Sequence, residues 1–277
     1  MKEIIFEGNE IQAIQIQKSN SRKFIVEITG SSTGDPVPTK FVTHYGKFPN
    51  YNVIKILSIT QNHIVSLLAR CLHISYVPRQ CSNLVNVGIE IADFINTLPC
   101  EDLYLLGHSK GGLELLVALP RLQIRPKLAW IISVPGKGTI SANKEKAEEQ
   151  GNLLERLFYE LTFSNSPLDK AISKPSVLED SGINMQAICK EFGLIMINFI
   201  SFVDDSCQIT KLSDLVCWYL HQHKDLRLTK QDSKENDGIV PFSSKKLSYV
   251  NTKFIQAFHS SSLDVVREEL KKILIPP

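Results

Sequence analysis

The stretch Gly107–Gly112, which reads GHSKGG, decides the fold of this chain. It follows Leu103–Leu106, a continuous apolar run of the kind that a central parallel strand buries on both faces. It precedes Leu113–Leu119, which is typical of a helix. A tight turn from a strand into a helix tolerates only small neighbours, and the glycines two residues before and after Ser109 meet that steric need. The stretch therefore predicts a strand, a sharp turn and a helix, with the Ser109 side chain held above a sheet.

The rest of the chain alternates strands and helices around this turn. Leu84–Ile95 carries apolar residues at helical spacing, and Pro99 closes that segment. The remaining runs predict strands at Ile4–Glu7, Ile11–Gln17, Lys23–Ile28, Val53–Ile59, Leu128–Val134 and Leu194–Val203. This alternation, with apolar central strands, predicts an α/β fold in which helices flank a mostly parallel central sheet.

Residues 140–192 interrupt the alternation. A charged, helix-forming stretch at 143–150 is followed by an amphipathic stripe in Leu153–Leu161. We expect residues 1–139 and 193–277 to form the core domain and residues 140–192 to form an inserted helical cap or lid. An ordinary helical excursion packed on the sheet is the equally open alternative.

Composition narrows the class of partner and compartment. Lys and Arg number 31 against 29 Asp and Glu, so the formal net charge is +2, and a polyanion binder would need a clustered cationic surplus. No nucleic-acid partner is therefore expected. The six cysteines show no C-x-x-C spacing, which favours free thiols. No signal peptide or membrane-spanning run is visible, so we expect a cytoplasmic protein without a transmembrane segment.

Ser109 could act as a nucleophile only with a base and an acid beside it. In this kind of sheet the three residues occur along the chain in the order serine, acid, histidine, and the histidine is the base. His259 follows a strand-like run and precedes a helix, which places it at the same sheet edge as Ser109. Asp237, in a turn 22 residues before His259, is the favoured acid; the acids directly after the strand Leu194–Val203 remain as rivals, namely Asp204 and Asp205.

Two other histidines downstream of Ser109 suit that role less well. His221 and His223 are predicted on a helix, where a spacing of two turns them to different faces. A metal shared between them is therefore not expected.

Three motifs together resemble the α/β-hydrolase superfamily, in particular bacterial lipases and esterases. GHSKGG is similar to their G-H-S-x-G-G, and VPGKGT at 134–139 is similar to T-P-H-x-G-[ST]. ENDGIV at 235–240 resembles the E-N-D-G-[IL]-V that holds their catalytic acid. The motifs occur in the family's order, are followed by a terminal histidine and span roughly residues 23–275. The resemblance implies the α/β-hydrolase fold.

The resemblance also implies roles for individual residues. Ser109 would be the nucleophile, His259 the general base and Asp237 the orienting acid. The oxyanion hole would use the N–H of Lys110, at the start of a helix, and the N–H of Ser31 in the loop after the third strand. Thr29, Lys110 and Gly136 depart from the family's usual residues, which bears on the shape and polarity of the pocket.

The function implied is hydrolysis of a carboxylic ester, either a small molecule or a lipid. The zinc and calcium ligands of some lipases have no matching spacing here, so no metal and no cofactor are expected. A thioesterase or acyltransferase of the same fold would carry the same three residues. A catalytically silent binding protein that has kept the turn is the alternative from a different class.

Overall fold

A computed structural model describes residues 3–29, 48–58, 83–136, 171–172, 174, 176–210, 212–222 and 236–275. Among them, the strands are β1 (Glu3–Glu7), β2 (Ile11–Gln17), β3 (Lys23–Thr29), β4 (Asn52–Ser58), β5 (Asp102–His108), β6 (Leu128–Ile132), β7 (Met196–Phe202) and β8 (Asn251–Gln256). The helices are α1 (Leu84–Asn96), α2 (Lys110–Ala118), α3 (Val177–Asp180), α4 (Met185–Phe192), α5 (Leu212–Gln222) and α6 (His259–Leu274). Short 3-10 helices lie at Leu119–Arg121 and Phe242–Lys245.

The strands form one sheet in the order β1-β2-β4-β3-β5-β6-β7-β8. β1 and β2 pair antiparallel, as do β2 and β4, whereas every pair from β4 to β8 is parallel. The carboxyl ends of β5 to β8 therefore lie along one edge of the sheet. In such sheets, ligand sites form outside the carboxyl ends of the strands.

Helices cover both faces of the sheet. On one face, α1 and α2 pack with the strands into the larger core cluster, which includes Val87, Leu115 and Ile131. On the other face, α6 contributes Leu263, Val266 and Leu270 to a second cluster with strand residues such as Trp130. Apolar side chains on both faces explain the nearly unbroken apolar runs of the central strands. The predicted mostly parallel sheet flanked by helices is confirmed.

The described part of the predicted cap packs against the sheet. α3 and α4 place Val177, Met185, Ile188 and Phe192 in the larger core cluster. These helices thus share one apolar core with α1, α2 and the strands. Residues 140–170 lie outside the described residues, and a cap built from them remains a prediction.

A buried ion pair fastens α6 to the middle of the sheet. Arg267 donates from Nε to Glu27 Oε1 at 2.7 Å and from Nη2 to Glu27 Oε2 at 2.6 Å. Glu27 on β3 is fully buried, and Arg267 is 4% exposed. Because this bidentate pair holds the helix that begins with His259, it also fixes one side of the sheet edge described below.

We expect Arg267→Met to lower the free energy of unfolding by about 3–5 kcal/mol, because it removes the bidentate counter-charge of the buried Glu27 carboxylate. Urea unfolding followed by circular dichroism would measure this loss. Lys272→Met is the matched control on the same helix, because Lys272 makes only an exposed pair with Glu269 at 3.7 Å. That control is expected to cost less than about 1 kcal/mol. Equal losses in the two variants would contradict a special role for the buried pair.

Candidate active site

Ser109 occupies a strained turn between β5 and α2. Its backbone has φ 55° and ψ −127°, a left-handed φ that residues with a side chain rarely adopt. The Ser109 N–H donates to the carbonyl oxygen of Ile132 at 2.8 Å, and its own carbonyl accepts from the Gly112 N–H at 2.9 Å. A Cβ on Gly111 would lie 2.2 Å from the Ile28 carbonyl oxygen, so only glycine fits there. The turn thus holds Ser109 half-buried at the carboxyl edge of the sheet.

Lys110 starts α2 directly after this serine. Its backbone N–H belongs to the first turn of the helix, where N–H groups lack partners within the helix. Such groups, together with the helix dipole, favour negative charge. The Lys110 side chain is 1% exposed, and its Nζ lies 3.9 Å from Glu114 Oε1, one turn along the helix. The side chain is therefore directed along α2, and the backbone N–H lies at the start of this helix, directly after Ser109.

Asp237 and His259 form a buried hydrogen-bonded pair at the same edge. His259 Nδ1 lies 2.9 Å from Asp237 Oδ2, and the His259 N–H donates to the Asp237 carbonyl oxygen at 2.9 Å. Because an ionised carboxylate only accepts, Nδ1 carries a proton, so in the neutral imidazole the lone pair is on Nε2. This tautomer is the one that a general base needs.

Five donors surround the Asp237 carboxylate. Oδ1 accepts the backbone N–H groups of Ile239 and Val240 at 3.1 and 2.8 Å. Oδ2 accepts the Ser201 hydroxyl at 2.6 Å and lies 3.0 Å from Lys245 Nζ, in addition to its bond with His259. Burial raises the pKa of Asp237, but Lys245, His259 and Ser201 outweigh it and hold the pKa well below its usual range. Asp237 is therefore ionised at any working pH.

His108 adjoins His259 and remains neutral. The two rings lie 4.9 Å apart, and His108 Nε2 donates to the His259 carbonyl oxygen at 3.0 Å. The pKa of His108 is lowered to about 3, mainly by burial and secondly by the neighbouring His259. Because Ser109 directly follows His108, this contact brings the strained turn and His259 to the same place on the sheet edge.

A chain of buried serines joins the site to the strands beneath it. Ser262 donates to the His259 carbonyl oxygen at 2.8 Å, and Ser133 Oγ lies 3.2 Å from Ser262 Oγ. Ser133 also bonds to Ser201, which in turn donates to Asp237. Ser133, Ser201 and Ser262 are all fully buried. Their buried hydroxyl groups hydrogen-bond to one another, which holds the ends of β6 and β7 in place relative to the start of α6.

Helix α5 contacts both the start of α6, next to His259, and the loop that carries Asp237. Asp214 accepts the hydroxyl groups of Ser260 and Ser261, directly after His259. His221 Nδ1 lies 3.1 Å from Asn236 Oδ1, directly before Asp237. Gly238 has φ +90°, and a Cβ there would lie 2.1 Å from the Cys217 carbonyl oxygen. One helix therefore positions both members of the pair.

The structure separates the three acids that the sequence proposed. Asp237 contacts His259, whereas Asp204 accepts from the Ser206 N–H at 2.9 Å and from Gln256 Nε2 at 2.5 Å. Asp205 is exposed. Asp237 is the member of this set that the structure brings to the histidine.

Two residues proposed from the sequence, Ser31 and His223, lie outside the described residues. His221 lies on α5, as predicted, and supports the Asp237 loop. Sequence reasoning missed Ser201, Asp214 and Lys245. In the described ranges, no group of three or more His, Cys, Asp or Glu residues could hold a metal ion, and no helix is long and apolar enough to cross a membrane.

Comparison with solved structures identifies the fold. The chain is similar to the mature lipase BlEst2 of Bacillus licheniformis, with a TM-score of 0.58 and 13% identity over 97% of this chain and 99% of that one. It is also similar to the carboxylesterase CesB of Bacillus subtilis, with a TM-score of 0.50 and 12% identity over 96% and 88%. A thioesterase domain of the curacin biosynthetic pathway overlaps at a TM-score of 0.48 and 12% identity, covering 100% and 99%.

No protein-family model matches this sequence, and no curated protein matches it either. At these identities, structural similarity establishes the fold alone. The fold is that of the α/β-hydrolases, as the sequence motifs predicted.

Proposed function

We propose that this chain of α/β-hydrolase fold is a serine hydrolase that cleaves a carboxylic ester through an acyl-enzyme on Ser109. The observation that carries the proposal is the buried Asp237–His259 pair, next to a serine in a strained turn at the same sheet edge. Fold alone would not support an activity, because α/β-hydrolase folds serve many functions. The tautomer of His259 and the ionised state of Asp237 add the chemistry that the fold lacks.

In the acylation step, His259 Nε2 takes the proton of Ser109 Oγ as the oxygen attacks the ester carbonyl carbon. Asp237 holds the imidazole in its orientation through Nδ1 and stabilises the imidazolium that forms. When the tetrahedral intermediate collapses, the ester C–O bond breaks and His259 gives its proton to the leaving alkoxide. An ester bond between Ser109 and the acyl group remains.

In the second step, water attacks this acyl-enzyme. His259 removes a proton from the water, and the carboxylic acid leaves as Ser109 regains its hydroxyl proton. The oxyanion of both intermediates would be held by the Lys110 N–H at the start of α2 and by the Ser31 N–H. Each such donor contributes about two to three orders of magnitude in kcat where it has been removed from other hydrolases.

The surroundings of Ser109 support the substrate class that we propose. The Lys110 Nζ lies 3.9 Å from Glu114 Oε1 within α2, and both side chains are buried, so neither charge faces solvent. An uncharged ester, either a small molecule or a lipid, is therefore the substrate we propose. A cap formed by part of residues 140–192 would cover its acyl group.

A fluorophosphonate probe tests the proposal without knowledge of the natural substrate. We expect one probe per chain on the wild-type protein, mapped to the peptide that contains Ser109 by mass spectrometry. A panel of p-nitrophenyl esters and acyl thioesters of increasing chain length would then separate an esterase, a lipase and a thioesterase. A wild-type protein that takes up no probe and turns over no ester would overturn the proposal and leave a binding protein of this fold.

A further inference from the structure

Lys245 is a fully buried lysine that contacts Asp237, the acid of the proposed Ser109–His259–Asp237 triad. It ends the 3-10 helix Phe242–Lys245, and its Nζ lies 3.0 Å from Asp237 Oδ2. Nζ also donates to the Ser201 carbonyl oxygen at 2.7 Å. The Lys245 carbonyl oxygen accepts from Asn198 Nδ2 at 2.8 Å, which fixes the residue against β7. Burying the Lys245 ammonium beside Asp237 costs hydration free energy. An apolar side chain would fill the same space without that cost.

The position of Lys245 changes the charge that His259 faces. Lys245 Nζ and His259 Nδ1 contact the same carboxylate oxygen, one at 3.0 Å and the other at 2.9 Å. In a triad without the lysine, the histidine would face an uncompensated anion, which favours its protonated form. Here the ammonium offsets the carboxylate, so His259 faces a pair whose charges nearly cancel.

The other titratable groups around His259 do not replace this effect. Burial raises the pKa of Cys217 to about 12, so that thiol is neutral like His108. Arg267 is paired with Glu27 and Asp264, and Asp214 accepts three hydroxyl groups from Thr210, Ser260 and Ser261. Within the described residues, Asp237 bonds to His259, His108 lies beside its ring, Lys245 shares the Asp237 carboxylate with it, and Asp214 accepts from the two residues that follow it.

We propose that Lys245 is a positioning residue that sets the working pH of the site by keeping His259 unprotonated at a lower pH than Asp237 alone would. The proposal rests on the proposed function, in which His259 must be neutral to accept the proton of Ser109. In the pH–rate profile, the fall in rate toward low pH (the acidic limb) reports the protonation of His259. A positive charge on the same carboxylate oxygen as the imidazole disfavours the protonated form of His259, so the acidic limb lies at lower pH with Lys245 than without it.

The test uses the full-length protein and the rate of Ser109 labelling by a fluorophosphonate between pH 5 and 9. We expect Lys245→Met, which removes the charge and keeps an unbranched side chain of similar length, to move the acidic limb upward by about one pH unit. Asp237 keeps four of its five donors in this variant. Lys245→Gln offers a second neutral side chain, with a donor for Oδ2, and should move the limb in the same direction.

Two controls separate charge from contact. Lys246→Met removes the same charge from the next residue, which is exposed, and should leave the limb unmoved. Ser201→Ala removes a neutral donor from the same oxygen of Asp237; it should slow labelling without a comparable shift.

The proposal is overturned if a folded Lys245 variant has the acidic limb at the same pH as the wild type. It is also overturned if Ser201→Ala shifts the acidic limb as much as the Lys245 variants do. Failure of both Lys245 variants to fold would assign this lysine to folding alone and overturn it too. If the wild type is not labelled at any pH, it is the proposed hydrolase function that fails.

Discussion

Replacing Ser109 by alanine is expected to lower kcat for p-nitrophenyl butyrate by about five to six orders of magnitude, because the acyl-enzyme can no longer form. The residual rate would come from the oxyanion donors and from substrate binding. Alanine keeps Cβ and removes only Oγ, so the backbone bond from residue 109 to Ile132 and the turn itself persist. Continuous release of p-nitrophenolate measures the effect, and urea unfolding verifies that the fold is retained.

Ser206→Ala is the matched control for this experiment. Ser206 is exposed and follows β7 at the same edge of the sheet, where it donates to Asp204. Its loss should change kcat by no more than about twofold, as for most surface substitutions. If Ser109→Ala hydrolyses the ester at the wild-type rate, another residue is the nucleophile.

Asp237→Asn is expected to lower kcat by about four orders of magnitude, because the amide stabilises the wrong tautomer of His259. With an amide at this position, Nδ1 can accept from the Asn side chain, and the proton moves to Nε2, where the base should be. The same ester assay measures the loss. Asp204→Asn, which changes the rival acid at its exposed turn, should leave kcat within about twofold of wild type.

The variant Asp237→Asn also leaves Lys245 buried without its counter-charge, which could lower stability as well as activity. The double variant Asp237→Asn/Lys245→Met removes both charges together and keeps the interior neutral. Its kcat should be as low as that of Asp237→Asn, with a smaller loss in the free energy of unfolding. A large loss of activity in Asp204→Asn and none in Asp237→Asn would contradict the assignment of the acid.

Local sequence predicted the parts of this site that local sterics and short-range order control. The glycines around Ser109 indicated the tight turn, because a strand that turns directly into a helix leaves no room for a Cβ at Gly111. His259 was predicted at the same sheet edge because a residue that follows a parallel strand lies at its carboxyl end. The turn, the distance from His259 and the resemblance of ENDGIV favour Asp237 over Asp204, whereas the contact itself depends on the three-dimensional packing.

Long-range pairs were beyond the reach of local patterns. Lys245 and Lys246 are adjacent and chemically identical, yet one is fully buried against Asp237 and the other is exposed. Glu27 gives β3 a buried charged residue in the middle of the sheet, and its bidentate partner Arg267 lies 240 residues later in the chain. No periodicity distinguishes a charged side chain that will find a buried partner from one that will remain in water.

The left-handed backbone of Ser109 has a consequence for the evolution and engineering of this protein. A non-glycine residue in such a conformation costs about 1–3 kcal/mol of folding stability. Glycine adopts a positive φ without that cost, so Gly at position 109 would relax the turn while removing the reactive oxygen. Selection for thermal tolerance alone would therefore favour glycine over serine at position 109, so thermal tolerance and the proposed nucleophile make opposite demands on this residue.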